Sequence, residues 1–162
     1  SDVYKRQAYN AIEGLGSGSS GKGGNVYVDL GSMGDKTGAN EPLRQLMRKT
    51  VQKTFAKKGS GMSLTKPSRS KLKKMKAFHV DGTLTALNVS KGAGSSEVAC
   101  KVSMLIATYP KKSMFGFLNG GARVQTGSSD RDVQFGKEDC VAAVIEDLVA
   151  RKVIPTLKQR SR

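Results

Sequence analysis

Residues 77–108 read AFHVDGTLTALNV, then SKGAGS, then SEVACKVSMLIAT. Two alternating runs separated by a short Gly-rich connection predict an antiparallel hairpin. In the first run Phe78, Val80, Leu84 and Ala86 fall on one side. In the second, Val98, Cys100, Val102, Met104 and Ile106 face one way, and Glu97, Ala99, Lys101 and Ser103 the other. Side chains alternate along a strand, so this hairpin has one apolar face that needs a cover.

The flanking sequence supplies it. Upstream, NVYVDL (residues 25–30) reads as a strand, followed by a polar loop over residues 31–40. A helix comes next, with Asn40 as N-cap, Glu41 and Pro42 in its first turn and Gly59 past its end. Leu43, Leu46, Met47, Thr50, Val51, Thr54 and Phe55 recur at three and four residues and make one stripe. Met62 and Leu64 hint at a short strand. Downstream of the hairpin, a Tyr109-Pro110 turn leads to a third segment, residues 113–126, expected to bend or bulge at Gly120-Gly121. Asp81-Gly82 marks a second candidate bulge.

The last helix is expected to begin between Val133 and Lys137, run to about Lys152 and stop at Pro155. Cys140, Val141, Val144, Ile145, Leu148 and Val149 form its stripe. Acidic residues at its start (Asp130, Asp132) and basic ones at its end (Arg151, Lys152) suit the helix dipole. The expected architecture is α+β. A single mixed or antiparallel sheet of about four strands carries two helices on one face, in the order β-α-β-β-β-α. It forms one domain over residues 25–157, followed by a basic tail, residues 158–162.

The N-terminal segment carries two separate signals. GSGSSGK, residues 16–22, matches the opening of a phosphate-binding loop, but Gly23 replaces the hydroxyl that would hold magnesium, and a strand follows where a helix should. It reads instead as part of a flexible Gly/Ser linker spanning residues 8–24. SDVYKRQ, residues 1–7, back-translates over its last six residues to GAT GTG TAT AAG AGA CAG, a transposon end used in sequencing libraries. It is expected to be a scar outside the fold.

The net charge is +15, which favours an anionic partner. Its centre is a run with no acid from Arg44 to Lys76: Arg44, Arg48, Lys49, Lys53, Lys57, Lys58, Lys66, Arg69, Lys71, Lys73, Lys74 and Lys76. These are the candidate contacts for an acidic protein, an anionic envelope polymer or lipid headgroups. The competing reading is a solvated face that serves solubility. A second cluster closes the chain at Arg151, Lys152, Lys158, Arg160 and Arg162. Cys100 and Cys140 are too few for a disulfide scaffold or a zinc site. Each is a small buried thiol, or the two pair if the protein is exported.

Catalytic, metal and cofactor sites are not expected. The single histidine, His79, alternates with Phe78 and Val80 and is expected to face solvent. No nucleophile elbow or carboxylate pair stands out; Asp29 and Asp35 merely flank the first loop. A cytoplasmic nucleic-acid-binding domain using the same basic residues is the alternative, with electrostatic and weakly selective binding. Against it, only Tyr109, Phe115 and Phe117 are placed to stack on bases. No stretch is long and apolar enough for a membrane-spanning helix.

NVYVDLGSMGDKTGANEPLRQLMRKTVQKTF, the hairpin AFHVDGTLTALNV with EVACKVSMLIAT, and the closing EDCVAAVIEDLVARKV together resemble a group of bacterial envelope domains. The group includes the amino-terminal domain of the Tol-Pal propeller protein, the curli secretion lipoprotein and the lipoproteins that activate peptidoglycan synthases. The resemblance covers about residues 25–154 and rests on element order. It implies a non-enzymatic, partner-binding module of the periplasm or outer membrane, hung from a lipid anchor upstream through the Gly/Ser linker. SMFGFLNGGARV and the high basic charge depart from the group, and no site motif carries functional residues across.

Overall fold

A computed structural model describes residues 25–38 and 41–162. The expected scar, the linker and the Asn40 cap lie outside the described residues. The elements are β1 (Val26–Asp35), α1 (Glu41–Lys58), β2 (Met62–Ser63), the single-turn α2 (Arg69–Leu72), β3 (Lys76–Lys91), β4 (Ser96–Thr108), β5 (Met114–Thr126), α3 (Asp130–Leu148), a π-helical turn (Val149–Val153) and α4 (Ile154–Arg160). They form the expected α+β architecture, with a sheet ordered β2-β1-β3-β4-β5.

The sheet is mixed. β1 runs parallel to β2 and β3, while β3, β4 and β5 are antiparallel neighbours. The parallel pairs are joined by helical connections and the antiparallel ones by short turns, as their geometry requires. All five apolar residues assigned to one side of β4 are buried, from Val98 to Ile106. They meet Leu43, Met47, Val51 and Phe55 of α1 and Val141, Val144, Ile145 and Leu148 of α3 in one core. α4 adds Ile154 and Leu157. The helices therefore cover one face of the sheet.

Five expectations are corrected. First, β1 does not end at Leu30: it continues to Asp35 along β3, with Met33 opposite Gly82 and Asp35 opposite Leu84. The composition GSMGD reads as a loop, but a neighbouring strand satisfies its backbone. An irregularity between Leu30 and Met33 puts the bulge in β1, across from Asp81, and brings Met33 rather than Ser32 to the buried face. Second, a register shift between Leu84 and Ala86 makes Thr85 the extra residue in β3. The alternation changes phase there, so Leu87 and Val89 pack on the core in place of Ala86.

Third, Gly120 and Gly121 pair in regular register with Val102 and Lys101; the shift in that ladder falls between Ile106 and Ala107. Gly120 instead makes room for α3, since a Cβ there would lie 2.9 Å from Leu148 Cγ. Fourth, α3 starts earlier than expected, at Asp130, because Ser129 caps it by accepting from Asp132 N–H. Fifth, Pro155 does not stop the last helix. The turn before it widens, so that Ile154 N–H donates to Val149 O, five residues back. The wider turn accommodates a residue with no N–H of its own, and the helix resumes as α4.

Candidate functional site

The basic residues that are scattered along the chain converge because of the strand directions. β1 and β3 begin at one end of the sheet: Val26 is registered with both Met62 and Lys76, and Lys76 N–H donates to Asn25 O. α1 runs back from the far end of β1 and delivers Lys57 and Lys58 to this same end. The connection from β2 to β3 carries Lys66, Arg69, Lys71, Lys73, Lys74 and Lys76, all at least partly exposed. The β4–β5 turn arrives beside it, with Tyr109 N–H donating to Ala77 O, and adds exposed Lys111 and Lys112. The end of α4 completes the group with Lys158 and Arg160, the Arg160 guanidinium lying 4.2 Å over the Phe115 ring.

Eight of the twelve predicted contacts, Lys57 to Lys76, therefore share one end of the domain with basic residues from two other segments. No Asp or Glu falls within residues 57–78, 109–114 or 154–162. Among the described residues none of these lysines pairs with a carboxylate. Such a surface concentrates positive potential, because the fields of like charges gathered at one end add.

The remaining four predicted residues sit further back along α1. Arg44 lies about 21 Å from Lys58 along the helix axis. It pairs with Glu41, and the Arg48 guanidinium donates to the carbonyl of Gly31 in the β1 bulge. Lys49 is exposed at the middle of α1, and Lys53 is half-buried. These four therefore lie along α1 behind the basic end, and Arg44 and Arg48 already have partners within the fold.

A second cluster occupies the sheet face away from the helices. His79 is not solvent-facing: it is only 4% exposed. Its Nδ1 lies 2.7 Å from Asp29 Oδ2 on β1, and its Nε2 lies 3.1 Å from Asp81 Oδ1. Alternation placed His79 opposite Phe78 correctly, but that face has a polar packing of its own. Tyr27 O–H donates to Asp29 Oδ1 at 3.3 Å, and its ring meets Tyr109 edge-on at 5.3 Å. Burial, then the negative charge of Asp29, pushes the Tyr27 hydroxyl up to about 12. The sequence signal for this group was the register pairing of Asp29 with His79, which requires knowing that β1 and β3 are parallel neighbours. The arrangement ties two strands together. Among the described residues no group of three His, Cys, Asp or Glu is placed to hold a metal.

The fold also brings Cys100 of β4 and Cys140 of α3 together as a disulfide pair across the core, with Cα atoms 6.2 Å apart. Of the three aromatic residues considered for stacking, Tyr109 packs on Tyr27, and Phe115 packs on Phe78 at 5.7 Å beneath Arg160. Phe117 alone is largely exposed, at 58%. No helix among the described residues is long and apolar enough to cross a membrane.

No family model matches the chain, and no curated protein matches its sequence. Solved structures share its fold. It is similar to a candidate lipoprotein of Caulobacter crescentus at 15% identity, with a TM-score of 0.52 over 92% of this chain and 96% of that one. A Xanthomonas campestris protein of family DUF330 aligns with a TM-score of 0.58 at 10% identity, over 86% of this chain and 92% of that one. PelC of Paraburkholderia phytofirmans, solved as a dodecamer, aligns with a TM-score of 0.51 at 11% identity, over 79% of this chain and 87% of its own. At such identities the likeness establishes the architecture, and the chain carries a fold found among bacterial lipoproteins.

Proposed function

We propose that the protein is a non-enzymatic module of the bacterial cell envelope that holds an anionic partner on its basic end. The observation that carries this reading is the convergence of Lys57, Lys58, the Lys66–Lys76 segment, Lys111, Lys112 and the end of α4, without an acid among them. The linker over residues 8–24 joins the domain at this same end, through Asn25. The fold shared with the Caulobacter and Xanthomonas proteins supports an envelope setting, as does a cysteine pair suited to an oxidising compartment. The narrower likeness to the Tol-Pal and curli domains, the upstream tether and the periplasmic or outer-membrane location belong to this proposal. Engagement of Tyr109 and Phe115 inside the fold weighs against base stacking.

The test is titration with a soluble polyanion, polyglutamate, at rising salt. Replacing Lys71, Lys73, Lys74 and Lys76 with Gln should weaken binding and flatten its salt dependence. Replacing Arg44 and Lys49, which lie outside the basic end, should change neither. Equal effects from the two sets would remove the basic end as the binding surface.

A further inference from the structure

We infer that the partner of the basic end is an anionic lipid surface, onto which the domain settles with Met114 and Phe117 entering the headgroup region. This rests on the reading of that end as an anion-binding surface, and names what it meets. Three independent features favour a bilayer over a soluble acidic partner.

The first is apolar. Met114 and Phe117 are 59% and 58% exposed, and with Phe135 they are the exposed large hydrophobic side chains among the described residues. Both belong to the first part of β5, beside the Lys111-Lys112 turn. The register sets Met114 opposite Ala107 and Phe117 opposite Leu105, so the two share the sheet face away from the helices. Phe135 differs: it lies on α3 with the Arg131 guanidinium 5.6 Å over its ring. Basic side chains beside exposed apolar ones match the layered chemistry of a membrane surface. Cations meet phosphates while rings and thioethers enter the acyl boundary.

The second feature is the kind of cation. Lysines dominate the basic end, and Lys73, Lys74, Lys111 and Lys112 are exposed. A lysine is a mobile point charge without the planar fork that reads a single phosphate or carboxylate. A field of them suits a diffuse surface potential, and long stems let each charge find a headgroup.

The third is where the chain goes. Asn25 accepts from Lys76 N–H at the basic end, so the linker over residues 8–24 joins the domain at the surface proposed to face the lipid. Any anchor attached upstream would hold this end, rather than the opposite one, toward the bilayer.

The experiment uses the full chain and vesicles of phosphatidylcholine, with or without phosphatidylglycerol. The sequence has no tryptophan, so Phe117→Trp supplies a unique reporter. The protein should float with the phosphatidylglycerol vesicles only, and salt should release it. The emission of the introduced indole should shift to the blue on vesicle binding and stay put with polyglutamate. Each lysine near an anionic membrane contributes about fivefold in affinity, so changing Lys73, Lys74, Lys111 and Lys112 to Gln should cost about 10²-fold or more. Replacing Met114 and Phe117 with Ser should cost about tenfold on vesicles and leave polyglutamate binding unchanged.

Flotation without a blue shift, or equal binding to neutral and anionic vesicles, would overturn the inference. Binding of polyglutamate without binding of vesicles would overturn it while leaving the broader reading intact. Loss of both would remove both. Capture of a duplex oligonucleotide without vesicle binding would assign the surface to nucleic acid instead.

Discussion

Asp29 Oδ2 lies 2.7 Å from His79 Nδ1, a half-buried contact between the parallel neighbours β1 and β3. Asp81 faces the other ring nitrogen at 3.1 Å. Truncating His79 leaves both carboxylates short of a partner and opens a cavity beside them. His79→Ala should therefore lower unfolding free energy by about 2–4 kcal/mol. Asp29→Asn keeps an acceptor facing Nδ1 and should cost less. Urea midpoints of the two variants provide the comparison, and an equal loss from both would show that the charge of Asp29, rather than the hydrogen-bonded packing, dominates.

Tyr27 adds a dependence on alkaline pH. Its hydroxyl is pushed up to about 12 in the folded protein, against 10.0 for an ordinary tyrosine. Below that ordinary value both folded and unfolded chains keep the proton. Between the two values the unfolded chain releases it first, so stability falls as pH rises across that window and is fully present below it. Tyr27→Phe removes this component and should give a flatter profile of denaturation midpoint against pH above about 10. Parallel profiles for the two proteins would show that Tyr27 ionises alike in both states.

Two glycines in β1 should respond differently to the same substitution. A Cβ on Gly31 would overlap Asp81 Oδ1 and lie 2.5 Å from His79 Cε1. On Gly34 the nearest atom would be Thr83 Oγ1 at an ordinary 3.5 Å. Gly31→Ala should cost about 1–3 kcal/mol by forcing apart the His79 cluster, and Gly34→Ala should be close to neutral. Thermal midpoints measured side by side would decide it.

These sites show why some of the architecture was legible and some was not. The β4 face could be read because Val98 to Ile106 alternate without interruption and all end in the core. β3 carries the same kind of pattern, but the extra residue at Thr85 reverses its phase, and a bulge leaves no mark in composition. Residues 31–35 form a strand only because β3 is beside them; glycine and serine declare no preference for it. His79 was assigned to its correct face, yet burial on that face comes from packing against Asp29 of β1, which is distant in sequence. The charges were equally visible one by one. Their gathering at one end, and the diversion of Arg48 to the Gly31 carbonyl, follow from strand direction and helix length.

Cys100 and Cys140 are 40 residues apart in sequence and join the sheet to α3 through the core. A cross-link that closes a loop of this size reduces the freedom of the unfolded chain, a contribution of about 2–4 kcal/mol. If the protein works in an oxidising compartment, chain recovered from there should gain the mass of two hydrogens on reduction. The double variant Cys100→Ala, Cys140→Ala should then melt at a lower temperature than the oxidised protein and close to the reduced one. Both sites are buried, so some loss from the missing sulfur atoms is expected even against the reduced protein. The difference between oxidised and reduced forms isolates the cross-link from that packing loss. Chain that carries free thiols after recovery from such a compartment would withdraw the cysteine pair from the support for export.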